Sequence, residues 1–272
     1  MRTFGEPLVN LRSITYKDMV NASEKALWYL FKPIGMNMQH VDLRGCRRFK
    51  GRCFRLFGDA LENILLDGCC RLDKQSLEEL CMQSPNITEL RLSACWMVSD
   101  DIVSLISRSL SHLNSFALCG DRFMDLSSAG LMAISRLKFL RELWLDYNSA
   151  VTDELLEALI ESIPGLRLLS IPYAGTDSTI TKEVVAKIAN LKDLQTVTSK
   201  SVQELLNAFP IVDDSRTAKA VTVVIGGTIC DLASLRLRNT RMVVDTSDYS
   251  AISSNTARGL LSSTSGFLGI IF

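Results

Sequence analysis

Six stretches of this 272-residue chain repeat one spacing: an apolar residue, a second three places on, a third two places later, and a small or polar residue three further. They are Met38-Val41-Leu43-Cys46, Leu61-Ile64-Leu66-Cys69, Ile87-Leu90-Leu92-Cys95, Leu113-Phe116-Leu118-Asp121, Leu140-Leu143-Leu145-Asn148 and Leu166-Leu169-Ile171-Ala174. Their last members fall at 46, 69, 95, 121, 148 and 174, in steps of 23, 26, 26, 27 and 26. A period of this length marks stacked units, none of which can bury its apolar face alone. Apolar residues two apart share one face of a short strand. Between the strands, "VSDDIVSLISRSL", "VTDELLEALIESI" and "ITKEVVAKIANL" bring apolar residues back every three or four, the helical period. Ser99, Thr152 and Thr181 stand just ahead of acidic residues where these runs begin, as N-caps do. A worn seventh copy keeps Leu194 and Val197 but has Ser199 at the next apolar position.

The residue closing each spacing sits where the chain leaves its strand, a corner whose backbone groups no ladder or helix satisfies. A small side chain that can be buried and donate a hydrogen bond fits there. Cys46, Cys69, Cys95 and Asn148 are therefore expected to form a stacked structural ladder. Ladder cysteines lie a repeat apart and cannot converge on one tetrahedral ion, and adjacent Cys69-Cys70 has no CxxC partner. No metal or other cofactor is expected.

These motifs resemble the leucine-rich repeat, specifically its cysteine-containing subtype, over about residues 36–210. The resemblance implies an α/β fold, a right-handed leucine-rich-repeat solenoid of about seven strand–turn–helix repeats in a curved arc. Such repeats characterise the F-box/leucine-rich-repeat proteins, substrate-recognition subunits of cullin–RING ubiquitin ligases. The implied role is a non-catalytic protein-interaction module, with an Skp-type adaptor and a cullin as implied partners. The competing reading is a scaffold or regulatory adaptor without an F-box.

Residues 1–35 are read as a segment capping the first repeat, with "ITYKDMVNASEKALWYLF" helical throughout. The same stretch partly resembles the second half of an F-box, where Lys17-Asp18 precedes an apolar helix ending at Trp28. The family's Leu-Pro start has no counterpart ahead of it, and the interval from Ser23 to Trp28 is one residue short. Residues 211–272 are expected to hold a C-terminal cap, in which "AVTVVIGGTI" makes a strand beside the last repeat, and then a disordered tail. Serine and threonine supply ten of the twenty residues from Thr246 to Ser265, a composition that cannot build a core. The final "GFLGIIF" is too short to span a membrane.

Lysine plus arginine and aspartate plus glutamate each total 30, so no global charge pulls the chain toward nucleic acid or an anionic membrane. The start "MRTFGEPLVNLRS" lacks a secretory h-region, which makes the eight cysteines reduced thiols and the sequons at Asn21 and Asn86 chance matches. The cytoplasm, with access to the nucleus, is the expected compartment. His40 and His112 are the only histidines, and GxSxG and HExxH are absent, so no catalytic site is read.

Side-chain alternation sends the residues between the buried leucines to the concave face. Candidate partner-binding residues are Arg44, Asp67, Glu89, Arg91, Glu142, Trp144, Asp146, Tyr147 and Tyr173. Trp144 is expected as an exposed anchor, with Tyr147, Tyr173 and Trp96 extending an aromatic strip along one rim. A protein or peptide is the expected occupant. "RGCRRFKGRCFRLFG" holds six basic residues from Arg44 to Arg55, interleaved with Phe49, Phe54 and Phe57, the composition of a nucleic-acid surface. That reading ranks last, because the phenylalanines also fit the core and the arginines a solvated face.

Overall fold

The computed structural model describes residues 8, 10–123, 125–175, 179–191, 193–194, 196–198, 221–224 and 242–245. Each expected spacing makes a three-residue strand: β2 (His40–Asp42), β3 (Asn63–Leu65), β4 (Glu89–Arg91), β5 (Ser115–Ala117), β6 (Glu142–Trp144), β7 (Leu168–Ser170) and β8 (Thr196–Thr198). β1 (Ser13–Thr15) precedes them, and β9 (Val221–Val224) and β10 (Met242–Asp245) follow. Each strand pairs in parallel with its neighbours in sequence, giving one ten-stranded sheet among the described residues. Helices α1 (Glu24–Phe31), α2 (Lys74–Gln83), α3 (Asp100–Ser109), α4 (Ser128–Leu131), α5 (Asp153–Ser162) and α6 (Lys182–Lys187) return the chain between strands. In the 23-residue step there is no room for a full helix, and Arg52–Leu56 makes a 3-10 turn instead. This is a leucine-rich-repeat solenoid.

The central strand residues Val41, Ile64, Leu90, Phe116, Leu143 and Leu169 are buried against helix residues such as Leu80, Ile106 and Leu159 in one continuous core. Phe49, Phe54 and Phe57 belong to that core too, which settles their place in the basic segment. Ser99, Thr152 and Thr181 all occupy N-cap positions, and the Thr181 hydroxyl accepts from the Val184 amide. The acidic residue opening one helix also reaches the next repeat. Asp100 accepts from the Ser127 amide and hydroxyl at 2.7 and 2.6 Å, and Asp153 from the Thr181 amide and hydroxyl at 2.9 and 2.7 Å.

The ladder forms as expected. Cys46 Sγ donates to the Tyr16 carbonyl at 3.1 Å, Cys69 to Leu43 and Cys95 to Leu66 at 3.2 Å, and Asn148 Nδ2 to Leu118 at 3.1 Å. Each bond runs from one repeat to the carbonyl just past the previous strand. Burial raises the thiol pKa of Cys46, Cys69 and Cys95, keeping the proton that the bond requires. The seven described cysteines are free. Asp121 departs from the series: it is exposed, because a carboxylate has no hydrogen to donate to a carbonyl.

One residue before each ladder position the backbone is left-handed. The φ values are 57° at Asp18, 74° at Gly45, 75° at Gly68, 57° at Ala94, 125° at Gly120, 59° at Tyr147 and 55° at Tyr173. Four of these residues carry side chains that disfavour the conformation by about 1–2 kcal/mol each.

Two expectations are corrected here. The segment from Ile14 is not helical throughout: Ser13–Thr15 is a strand, and the helix begins at Glu24, capped by Ser23. The spacing Leu11-Ile14-Tyr16-Met19 is the repeat's own, so Lys17-Asp18 lies in a strand-to-helix turn and the parallel sheet begins ahead of residue 36. At the other end the β9 strand pairs beside β8 as expected, but in parallel sheet that continues to β10, past residue 210. The Thr246–Ser265 segment, the Gly-Gly turn and the terminal GFLGIIF lie outside the described residues.

Asn148 also accepts from the Ala150 amide at 3.1 Å, so Asn148→Leu removes a buried and a partly buried hydrogen bond at once. Urea unfolding should show it less stable by about 1–3 kcal/mol.

Candidate functional site

Parallel register aligns the concave side chains into rows. His40, Asn63, Glu89, Ser115, Glu142 and Leu168 make one; Asp42, Leu65, Arg91, Ala117, Trp144 and Ser170 the next. Within these rows or beside them the structure joins six of the nine expected residues, Asp67, Glu89, Arg91, Glu142, Trp144 and Asp146. Arg91 Nε donates to Asp67 Oδ2 at 2.8 Å, and its guanidinium lies 5.2 Å from the Trp144 ring centroid. Asp67 Oδ1 also accepts from the Ser93 amide. Burial alone would lower the Arg91 pKa, but Asp67 beside it holds it above its ordinary value. Arg44 stands apart, closed in a two-point pair on Asp42 at 2.9 and 2.6 Å.

Trp144 is not an exposed anchor. Its indole points to the concave side, as alternation requires, yet it is only 5% exposed. It packs with Ala117, Cys119 and Leu168 in a small cluster separate from the main core. The reason is lateral. Strands lie about 4.8 Å apart, so a tryptophan flanked by Ala117 and Ser170 lies over its small neighbours, and Arg91 covers its face. Ser115, Ala117 and Ser170 are buried for the same reason.

Two carboxylates stay poorly compensated. Glu142 has its pKa raised by burial first and then by the Glu89 charge. Glu89 accepts from Asn63 Nδ2 at 2.6 Å, which fixes it in place. Asp146 is pushed up to about 6, chiefly by burial, with the nearby Ser170 hydroxyl and the Arg91 cation pulling the other way. The Ser170 hydroxyl does not reach hydrogen-bond geometry, and Asp146 Oδ1 is buried with no hydrogen-bond partner. Burial therefore governs.

Tyr147 and Tyr173 are in a different place from Trp144. They occupy the left-handed turns after β6 and β7, where their rings stack at 4.9 Å and 16°. The expected strip thus divides: a covered tryptophan on the concave face, and a tyrosine pair on the rim with Trp96, which is 44% exposed. The basic segment divides too. Arg44 is concave, Arg47 and Arg48 are exposed on the rim, and Arg55 turns to Glu79 at 3.0 Å and to the Trp28 ring at 5.9 Å. Arg71 and Arg122 also emerge on the rim, one and three repeats further along. Sequence reading passed over both, although each falls one or two places after a ladder position.

Among the described residues no three His, Cys, Asp or Glu side chains converge as metal ligands, and no helix is long and apolar enough to cross a membrane.

The chain is 33% identical to EEED8.10 of Caenorhabditis elegans, a protein named as a candidate for RNA binding. The alignment runs over 310 positions, 93% of this chain and 42% of that protein, so the chain spans less than half of its relative's length. No protein-family profile matches. In fold it is similar to a chain from the crystal structure of the yeast Rad7–Elc1 complex, with a TM-score of 0.50 and 19% identity over 62% of this chain and 42% of that one. The leucine-rich-repeat protein LegL7 of Legionella pneumophila aligns at a TM-score of 0.40 and 14% identity, over 73% and 79%.

Two outcomes follow from the covered residues. Trp144→Ala should destabilise the fold by about 3 kcal/mol, read as a lower urea midpoint. Asp146 has a folded pKa above its unfolded one, so the folded state holds the extra proton and stability falls as pH rises from about 4 to 6. Asp146→Asn should flatten that fall and raise stability at pH 7.5, by on the order of 2 kcal/mol. Urea titrations of both proteins across pH 4–8 measure it.

Proposed function

We propose that this chain is a non-catalytic recognition module that captures a basic protein or peptide segment on its concave face. The observation carrying this reading is the carboxylate pair Glu89 and Glu142. Glu142 is partly desolvated and pushed toward protonation by Glu89, an arrangement that costs the isolated fold stability. A lysine or arginine from a partner would relieve both effects. Asn63 and the Arg91–Asp67 pair, backed by Trp144, hold this surface rigid, so little ordering entropy is lost on capture.

The finer role is substrate recognition within a cullin–RING ubiquitin ligase, with an Skp-type adaptor as the bridge. It draws support from the cysteine ladder and from the fold shared with a chain of the Rad7–Elc1 complex. The residues resembling an F-box lie in the first repeat of the sheet, so the adaptor contact needs its own demonstration. A scaffold or regulatory adaptor with the same concave face is the alternative. Pull-down of the intact chain with mass spectrometry separates them: an Skp-type adaptor and a cullin appear in the first case only. For the concave face itself, Glu89→Lys with Glu142→Lys should weaken capture of the recovered partner by about 2 kcal/mol or more. Unchanged capture by a variant of normal stability would move the site elsewhere.

Nucleic-acid recognition is a second reading. The C. elegans relative, named as a candidate RNA-binding protein, favours it. Most of that relative lies outside the match, so the support needs a surface on this chain.

A further inference from the structure

The basic residues that cluster in sequence disperse in space, while Arg47, Arg71 and Arg122 share one place in the repeat, one or two residues after the ladder position. The left-handed turns are hydrogen-bonded to one another along the array. Gly45 donates to the Asp67 carbonyl, Gly68 to Ser93, Ala94 to Cys119, Gly120 to Asp146 and Tyr147 to Pro172, at 2.8 to 2.9 Å. The rim that these turns build is therefore a continuous edge with one step per repeat. On it stand Arg47, Arg48 and Arg71, all exposed and without an ion pair among the described residues. Trp96 is next, 44% exposed. Arg122 follows, with only a loose, solvent-exposed pair to Asp121 at 3.9 Å. The stacked Tyr147–Tyr173 pair ends the row, with Tyr173 38% exposed.

We infer that this rim is a binding site for single-stranded nucleic acid. Arginine cations along an edge neutralise phosphates, and exposed aromatic faces stack on unpaired bases whatever their sequence. Asp18 and Asp121 are the acidic residues at its turn and ladder positions, so the row keeps a cationic excess on a chain of zero net charge. From the repeat of Cys46 to that of Ala174 there are five strand steps. At about 4.8 Å each they span about 24 Å, an edge long enough for a run of several nucleotides. A duplex would bury its bases away from Trp96 and Tyr173, which selects the single strand. The inference rests on the nucleic-acid reading and uses none of the concave carboxylates.

The backbone strain is consistent with this use. Tyr147 and Tyr173 take left-handed conformations that glycine would adopt freely. Bulky side chains at such positions point to a requirement beyond folding, and two in consecutive repeats set their rings parallel.

The test is fluorescence anisotropy of the full chain with a labelled 12-nucleotide RNA of mixed sequence, at 50 mM and 200 mM salt. The intact chain should bind, and more weakly at the higher salt. Arg47→Ala/Arg71→Ala/Arg122→Ala should lose at least tenfold in affinity and lower the salt slope by about 0.7 per contact removed. Trp96→Ala should lose between about fivefold and a hundredfold, while Trp96→Phe retains most binding and Glu89→Gln/Glu142→Gln retains all of it. Binding that survives both the triple-arginine and Trp96→Ala changes would overturn the rim and leave the nucleic-acid reading standing. No binding of RNA or DNA single strands by the intact chain at 50 mM salt would overturn both. Equal binding of a polyglutamate peptide, indifferent to Trp96→Ala, would make the occupant an acidic protein and sink the inference.

Discussion

The solenoid turns on how the carbonyl just past each strand is satisfied. A three-residue parallel strand has little ladder of its own, and the turn that follows exposes backbone groups in a buried corner. The chain answers with one side-chain donor from the next repeat: a thiol at Cys46, Cys69 and Cys95, an amide at Asn148. The backbone just before each donor is left-handed, which swings the chain out of the strand direction. Donor, turn and neighbouring strand are thus coupled, and each repeat is completed by its successor. Such nearest-neighbour dependence is the source of solenoid cooperativity.

That coupling explains what was legible in the sequence. The apolar spacing and the ladder survive as a period because packing demands them in every copy. β1 was not read because its repeat carries Tyr16 and Met19 where other copies carry leucine and cysteine. Its donor position has no earlier strand to serve among the described residues, so Met19 is free to be exposed. β10 was not read because Met242–Asp245 lies beyond any residue that keeps the spacing.

The candidate sites were legible only in part, for a geometric reason. Alternation tells which way a side chain points but not what stands beside it one strand away. Trp144 points outward as alternation requires, and is covered because Ala117 and Ser170 on either side leave room for it to lie flat under Arg91. Lateral neighbours in a solenoid are about a repeat distant in the chain, beyond the reach of any local window. The same fact dissolved the basic segment: Arg44, Arg47 and Arg55 are close in sequence, yet they face the concave side, the rim and the helix side.

A solenoid therefore separates functions by position within the repeat rather than by segment of chain. The strand positions hold acidic and ion-paired groups on a rigid inner surface, and the positions flanking the ladder hold cations and aromatic rings at the edge. Both surfaces hang on one backbone framework, so a lost ladder donor should disturb them together, whereas an exposed substitution at either should leave the other intact. The left-handed turn makes the edge possible. It projects its residue away from the core, so Tyr147 and Tyr173 can be large without filling the buried corner that Asn148 and Ala174 occupy one residue later. The conformational strain of a tyrosine there is offset by the packed repeats behind it. The residue that glycine would replace most comfortably is thus the one through which the fold can present an aromatic ring to solvent.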